Sequence, residues 1–150
     1  MKKLIIVTLL LLLVFPVVLS GCDYITGVAP ELSFNVPKQT PTIQNVSSSD
    51  AYAMISINAG HANFIIIDVR APLEYAQGHI PFAINRDVNS PTFSDGINKL
   101  NKNRTYFVYC QAGGRSASAR AIMQELGFRN IINLTKGYAD WVAAGFPVVK

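Results

Sequence analysis

Cysteine is scarce in this chain. There are two in 150 residues, Cys22 and Cys110. They allow at most one disulfide, and only in an oxidising compartment. No run of Lys and Arg occurs after position 21, where 11 basic residues face 9 acidic ones. The electrostatic footprint of a nucleic-acid-binding protein is therefore missing. Internal repeats and low-complexity tracts are missing too, which leaves solenoids and tandem arrays aside. At this length the chain has room for one domain of ordinary size. Its one long apolar run, Leu4 to Leu19, contains Pro16. It is short for a hydrocarbon layer of ~30 Å.

What that run does have is the layout of an export signal. Met1-Lys2-Lys3 is a basic start, and Leu4 to Leu19 is the apolar segment behind it. Leu19-Ser20-Gly21-Cys22 resembles the lipobox of bacterial lipoproteins. The resemblance implies cleavage before Cys22 and a diacylglyceryl group on its thiol. The protein would then be extracytoplasmic and lipid-anchored to the bacterial cell membrane. The alternative is an uncut leader retained as the anchor. If Cys22 is acylated, Cys110 has no partner in the chain, and a reactive thiol is the first explanation for it.

Residues 1–21 thus read as the signal, 22–41 as a tether and 42–150 as the domain. The tether carries Pro30, Pro37 and Pro41 among polar residues. About 20 residues of flexible chain reach roughly 25 Å. Val28, Leu32, Phe34 and Val36 are the alternative there, as a short strand on the domain.

Beyond the tether, short strands alternate with helices. Thr42 to Val46 is a strand. Ser49 or Asp50 caps a helix over Ala51 to Asn58, with Ala51, Met54 and Ile55 on its apolar face. Phe64 to Ile67 is apolar without alternation, the pattern of a strand buried on both faces, and Asp68 and Arg70 follow its carboxyl end. Pro72 opens a short helix through Gln77, and a short strand follows Pro81. A helix carrying Ile97 and Leu100 precedes the strand Thr105 to Tyr109. The helix from Gly114 to Leu126 has Ala119, Ile122, Met123 and Leu126 at i, i+3, i+4, i+7, and Gly127 ends it. Asn130 to Leu134 is the last strand, and Gly137 to Ala144 a final helix with Trp141 inward. This order predicts an α/β fold with a central parallel sheet of about five strands and helices on both faces. Ligands in such sheets bind beyond the carboxyl ends of the strands.

Cys110 falls at such an end. The stretch Tyr106 to Ser116 reads as buried strand, six-residue loop, then the first turn of a helix. Loop N–H groups and the helix N-terminus favour thiolate over thiol, and the thiolate is the nucleophile. Gly113 and Gly114 are expected to let the backbone curl and turn its amides inward. Arg115 adds a positive charge able to hold an anionic substrate.

This loop resembles the active-site loop of the rhodanese family, the sulfurtransferases. Three further stretches are similar to the same family: Asp68-Val69-Arg70 with Glu74-Tyr75, Gly78-His79-Ile80-Pro81 with Ala83-Ile84-Asn85, and Gly137 with Trp141, Gly145 and Pro147. All four occur in the family's order, over about Val46 to Val149.

The resemblance implies a rhodanese-like fold and two-step sulfur transfer. Cys110 would take the sulfane sulfur of a small anionic donor such as thiosulfate as a persulfide, then give it to a thiol or cyanide acceptor. The amides of Gln111, Ala112, Gly113, Gly114, Arg115 and Ser116 would hold the persulfide. No metal or organic cofactor is called for. Asp68 is expected to support the loop, Arg70 to pair with Glu74 at ordinary spacing, and His79 to be structural. Arg115 either binds the sulfonate end of the donor or pairs with an acid behind the loop. Tyr109, Phe82 and Trp141 are expected in the core first and at the pocket wall second. Gln111 stands where many members carry a basic residue, which removes one cation from the anion site. Two alternatives stand beside this reading. A cysteine phosphatase or arsenate reductase would have a similar cradle, but protein tyrosine phosphatases use five residues between Cys and Arg, and here there are four. A binding module on the same scaffold would often lack the cysteine.

Overall fold

The computed structural model describes residues 42–150. The leader, Cys22 and the tether lie outside the described residues. In order, the elements are β1 (Thr42–Val46), α1 (Ser48–Asn58), β2 (Phe64–Asp68), α2 (Pro72–Gln77), β3 (Ala83–Asn85), α3 (Phe93–Asn98), β4 (Thr105–Tyr109), α4 (Gly114–Glu125), β5 (Asn130–Leu134) and α5 (Gly137–Ala143). Five strands form one sheet in the order β1-β5-β4-β2-β3, and every pairing is parallel.

β4 lies at the centre because its side chains are apolar on both faces. Phe107 and Tyr109 point to the side covered by α1 and α5, where they pack with Ala51, Ile55 and Trp141. Tyr106, Val108 and Cys110 point to the side covered by α3 and α4, against Phe93, Ile97, Ala119 and Met123. Each large side chain buried this way stabilises by roughly 1.5–3 kcal/mol. Register then levels the strand ends. Asp68 pairs with Tyr109 across β2 and β4, and with Asn85 across β2 and β3. Cys110 is one residue beyond that level.

Three local expectations are corrected. First, α1 begins three residues early, at Ser48, because Ser47 is the cap and its hydroxyl accepts the Asp50 N–H at 3.2 Å. Second, Leu100 lies past the end of α3, half-buried and packed against the core from the following turn. Third, Phe82 is not a core residue. It sits at φ +66° in the tight turn before β3 with 68% of its surface exposed. The turn's inward anchors are Ile80 and Ala83 instead. Among the described residues no helix is long and apolar enough to cross a membrane.

Candidate active site

The loop after β4 owes its shape to the helix that follows β5. The Tyr138 N–H donates to the Cys110 carbonyl at 2.7 Å, and the Ala139 N–H donates to the Gln111 carbonyl at 3.0 Å. Both carbonyls are thereby drawn toward the first turn of α5. The amides further along the loop are left to gather round the sulfur. Two glycines make the approach feasible. Gly137 has φ +66°, and a Cβ there would come within 2.6 Å of the Gln111 carbonyl carbon. Gly113, the N-cap of α4, has φ +95°, and its Cβ would run into the Thr135 carbonyl oxygen. Gly114 is different. It begins α4 with ordinary φ, and a Cβ would meet open space. Of the two loop glycines expected to curl the backbone, only Gly113 is required to.

Cys110 is buried, with 1% of its surface exposed. The Gly113 N–H donates to its Sγ at 3.1 Å. Burial pushes the thiol's pKa up. Against it act the N–H and hydroxyl of Ser116 and the N–H groups of Ala112 and Gly113, which together hold Cys110 below its ordinary value. The Ser116 hydroxyl carries one proton, which goes to the Gly113 carbonyl at 3.0 Å. It turns to the sulfur only by giving up that bond. Arg115 is attracted to the Cys110 charge, but the donors that dominate at the sulfur belong to the loop and the first turn of α4.

The charges around the loop form two pairs, and not the pair expected from spacing. Arg70 does not reach Glu74. Its Nε and Nη2 grip Asp68 at 2.7–3.0 Å, its backbone N–H donates to the same carboxylate at 2.9 Å, and Nη2 also donates to the Gly78 carbonyl at 2.6 Å. Two residues apart in extended chain, Asp68 and Arg70 share a face. The Arg70 guanidinium lies over the Tyr138 ring at 4.1 Å, and Nη1 donates to Gln111 Oε1 at 3.2 Å. Asp68 therefore supports the loop through Arg70. Glu74 instead receives a fork from Arg115, Nη1 to Oε2 at 2.6 Å and Nη2 to Oε1 at 2.7 Å. The Arg115 fork, with the Ala71 N–H at 3.1 Å, holds the Glu74 carboxyl below its usual range. Of the two roles open to Arg115, the ion pair is the one formed, with an acid on α2.

Tyr109 and Trp141 are buried as expected. The Tyr109 oxygen accepts the Ile80 N–H at 3.0 Å, and burial pushes its phenol far up, so it stays neutral. His79 stacks on Tyr75 at 3.7 Å and exchanges backbone hydrogen bonds with Val149 at 2.8 and 2.9 Å. That is a clasp, as expected of a structural residue. His61 is an exposed loop residue. Among the described residues no cluster of three or more His, Cys, Asp or Glu is placed to hold a metal ion. Sequence reasoning missed Glu74 as the partner of Arg115, and the Tyr138 and Ala139 amides as the loop's anchors. The first had a signal in the fixed charge of Arg115, which calls for an acid somewhere. The second had none, because any non-proline residue carries an amide.

Residues 47–144 match the model of the rhodanese-like domain. The chain belongs to this family. The rhodanese-like match takes in the Cys110 loop, both ion pairs and the first turn of α5. A sulfurtransferase of Allochromatium vinosum is 29% identical over 104 residues, 69% of this chain and 95% of that one. A chloroplastic thiosulfate sulfurtransferase of Arabidopsis thaliana is 32% identical over 103 residues, 59% of this chain and 80% of that one. Among solved structures, a rhodanese-related protein of Thermoplasma volcanium superposes with a TM-score of 0.61 at 28% identity, covering 71% of this chain and 98% of that one.

Proposed function

We propose that this rhodanese-like protein moves sulfane sulfur from a donor such as thiosulfate to a thiol or cyanide acceptor through a persulfide on Cys110. One observation carries the reading: a buried thiol with its pKa lowered by converging amides, at the carboxyl end of the central strand. In the first step the Cys110 thiolate attacks the outer sulfur of thiosulfate. The new S–S bond forms as the donor's S–S bond breaks, and the electron pair leaves with sulfite. The terminal sulfur of the persulfide keeps the negative charge, and the amides from Ala112 to Ser116 stabilise it. In the second step cyanide attacks that sulfur and leaves as thiocyanate, and Cys110 returns as thiolate. Neither step needs a further oxidant or reductant. The relatives' activity at about a third identity supports the same chemistry. The test is mass spectrometry of the Cys110 peptide after thiosulfate treatment. A gain of one sulfur is expected, and an unchanged mass with active donor present overturns the reading.

We further propose that the mature chain begins at an acylated Cys22 and works on the outer side of the membrane, held by two acyl chains. Labelled fatty acid should enter the wild type and not Cys22→Ala. An unmodified Cys22 behind an intact leader would replace this with a retained anchor.

A further inference from the structure

Arg70 and Arg115 are both committed to carboxylates. Neither holds a free charge out to a substrate, and Gln111 adds none. Two other cations, Arg86 and Lys99, share one cavity. Arg86 follows β3 directly, and its Nη1 donates to the Asn85 carbonyl at 2.8 Å. Lys99 sits at the end of α3. Among the described residues neither has a carboxylate partner. Both line one open cavity of about 790 Å³. Phe93 and Leu100 give it apolar lining, and Ser90 and Thr92 give it hydroxyls. Among the described residues Asp87 is the one carboxylate there, and its Oδ1 already accepts the Asn89 N–H at 2.9 Å. The lining keeps a net positive charge. Its size falls in the range of small-molecule sites, ~300–1,000 Å³.

One wall of the cavity comes near the Arg115–Glu74 pair beside the Cys110 loop. Pro72, part of its wall, opens the helix whose Glu74 grips Arg115. Phe93 packs in the same cluster as Cys110. Asp87 acts electrostatically on Arg115. We propose that this cavity seats the acceptor of sulfur transfer, and that it selects a small thiol bearing a carboxylate, which Arg86 and Lys99 hold. The proposal rests on the sulfur-transfer reading and names the substrate class for its second half. Cyanide has no second group for the cavity to grip; a thiol acid has. The acceptor sulfur attacks the terminal sulfur of the Cys110 persulfide. A new S–S bond forms to the acceptor. The bond to Cys110 breaks with its electron pair left on Sγ. The thiol proton passes to the terminal sulfur, so the acceptor leaves as a persulfide and Cys110 as thiolate.

The first arm of the test needs no turnover. S-methylglutathione, which has carboxylates and no thiol, is titrated by calorimetry against the wild type, Cys110→Ser and the Arg86→Gln/Lys99→Gln double variant, all checked for fold by circular dichroism. Equal binding is expected for the first two. Roughly tenfold weaker binding is expected for the double variant, on the scale of two charge-assisted contacts at an open site. The second arm compares 3-mercaptopropionate with 2-mercaptoethanol as acceptors. The ratio of their kcat/KM values should fall about fivefold in the double variant, since only one of them has a carboxylate to lose. Absence of binding in the first arm, or an unchanged ratio in the second, overturns the assignment. Binding that persists while Cys110 takes no sulfur from thiosulfate overturns the acceptor role and the transfer reading, and leaves an anion site.

Discussion

Two arginines flank the Cys110 loop, each held by a carboxylate, and they live in different surroundings. The side chains of Arg70 and Asp68 are 3% and 0% exposed, and those of Arg115 and Glu74 are 31% and 32% exposed. Behind the loop, the Arg70 pair has further bonds to Gly78 and Gln111 and an aromatic ring against it. A buried charge that loses its partner there has no water to turn to. At the mouth, water can replace either member of the Arg115 pair. The same chemistry thus acts as a bracket in one place and sets the local charge in the other.

The largest expected effect removes what both pairs serve. Cys110→Ser should abolish thiosulfate-to-cyanide transfer and leave circular dichroism unchanged, since Ser nearly matches the volume but forms no persulfide. Turnover retained by the folded variant would place the nucleophile elsewhere.

Next comes the bracket. Arg70→Ala leaves Asp68 buried and unpaired, which should destabilise by about 3–5 kcal/mol in urea unfolding. A loss below about 1 kcal/mol would put the two pairs in the same class and end the contrast between them.

The mouth should behave in the opposite way. Glu74→Gln should cost no more than about 1 kcal/mol of stability. It releases Arg115, so the KM for thiosulfate should fall roughly threefold as a freed guanidinium meets the anion. An unchanged KM would mean that Arg115 does not face the donor.

The smallest effect is on pH. With its pKa lowered in the folded state, Cys110 should react with iodoacetamide at a midpoint below the ~8.5 of free cysteine. The sign for stability follows from linkage. A depressed folded pKa contributes stability that is fully present above the unfolded value and is lost as pH falls through the folded one. The stability difference between wild type and Cys110→Ala should therefore grow in the wild type's favour as pH rises through that window. A flat difference would mean that the amides do not favour the thiolate.

Much of the frame is legible in the sequence. Thr105–Tyr109 and Asn130–Leu134 match the structure residue for residue, because a short apolar run between polar turns has few other ways to fold. Pro72 and Gln77 bound α2 as read, since Pro belongs at a helix start. Boundaries set by one side-chain cap were harder. Ser47, Ser48 and Ser49 are equivalent in the chain, and only Ser47 has its hydroxyl in line with a free amide.

By itself the sequence determined the alternation of elements, the parallel sheet and the place of Cys110 at the carboxyl end of a buried strand. These follow from local periodicity and from the apolar faces each element must bury. The tertiary structure alone decided which acid each arginine holds, which loop glycine is needed, and which cations remain unpaired. Those depend on groups far apart in the chain, such as Glu74 and Arg115, separated by 41 residues, or Gly113 against the Thr135 carbonyl. Such distances are set by strand register and by how α5 seats on the loop, and no pattern of neighbours along the chain encodes them.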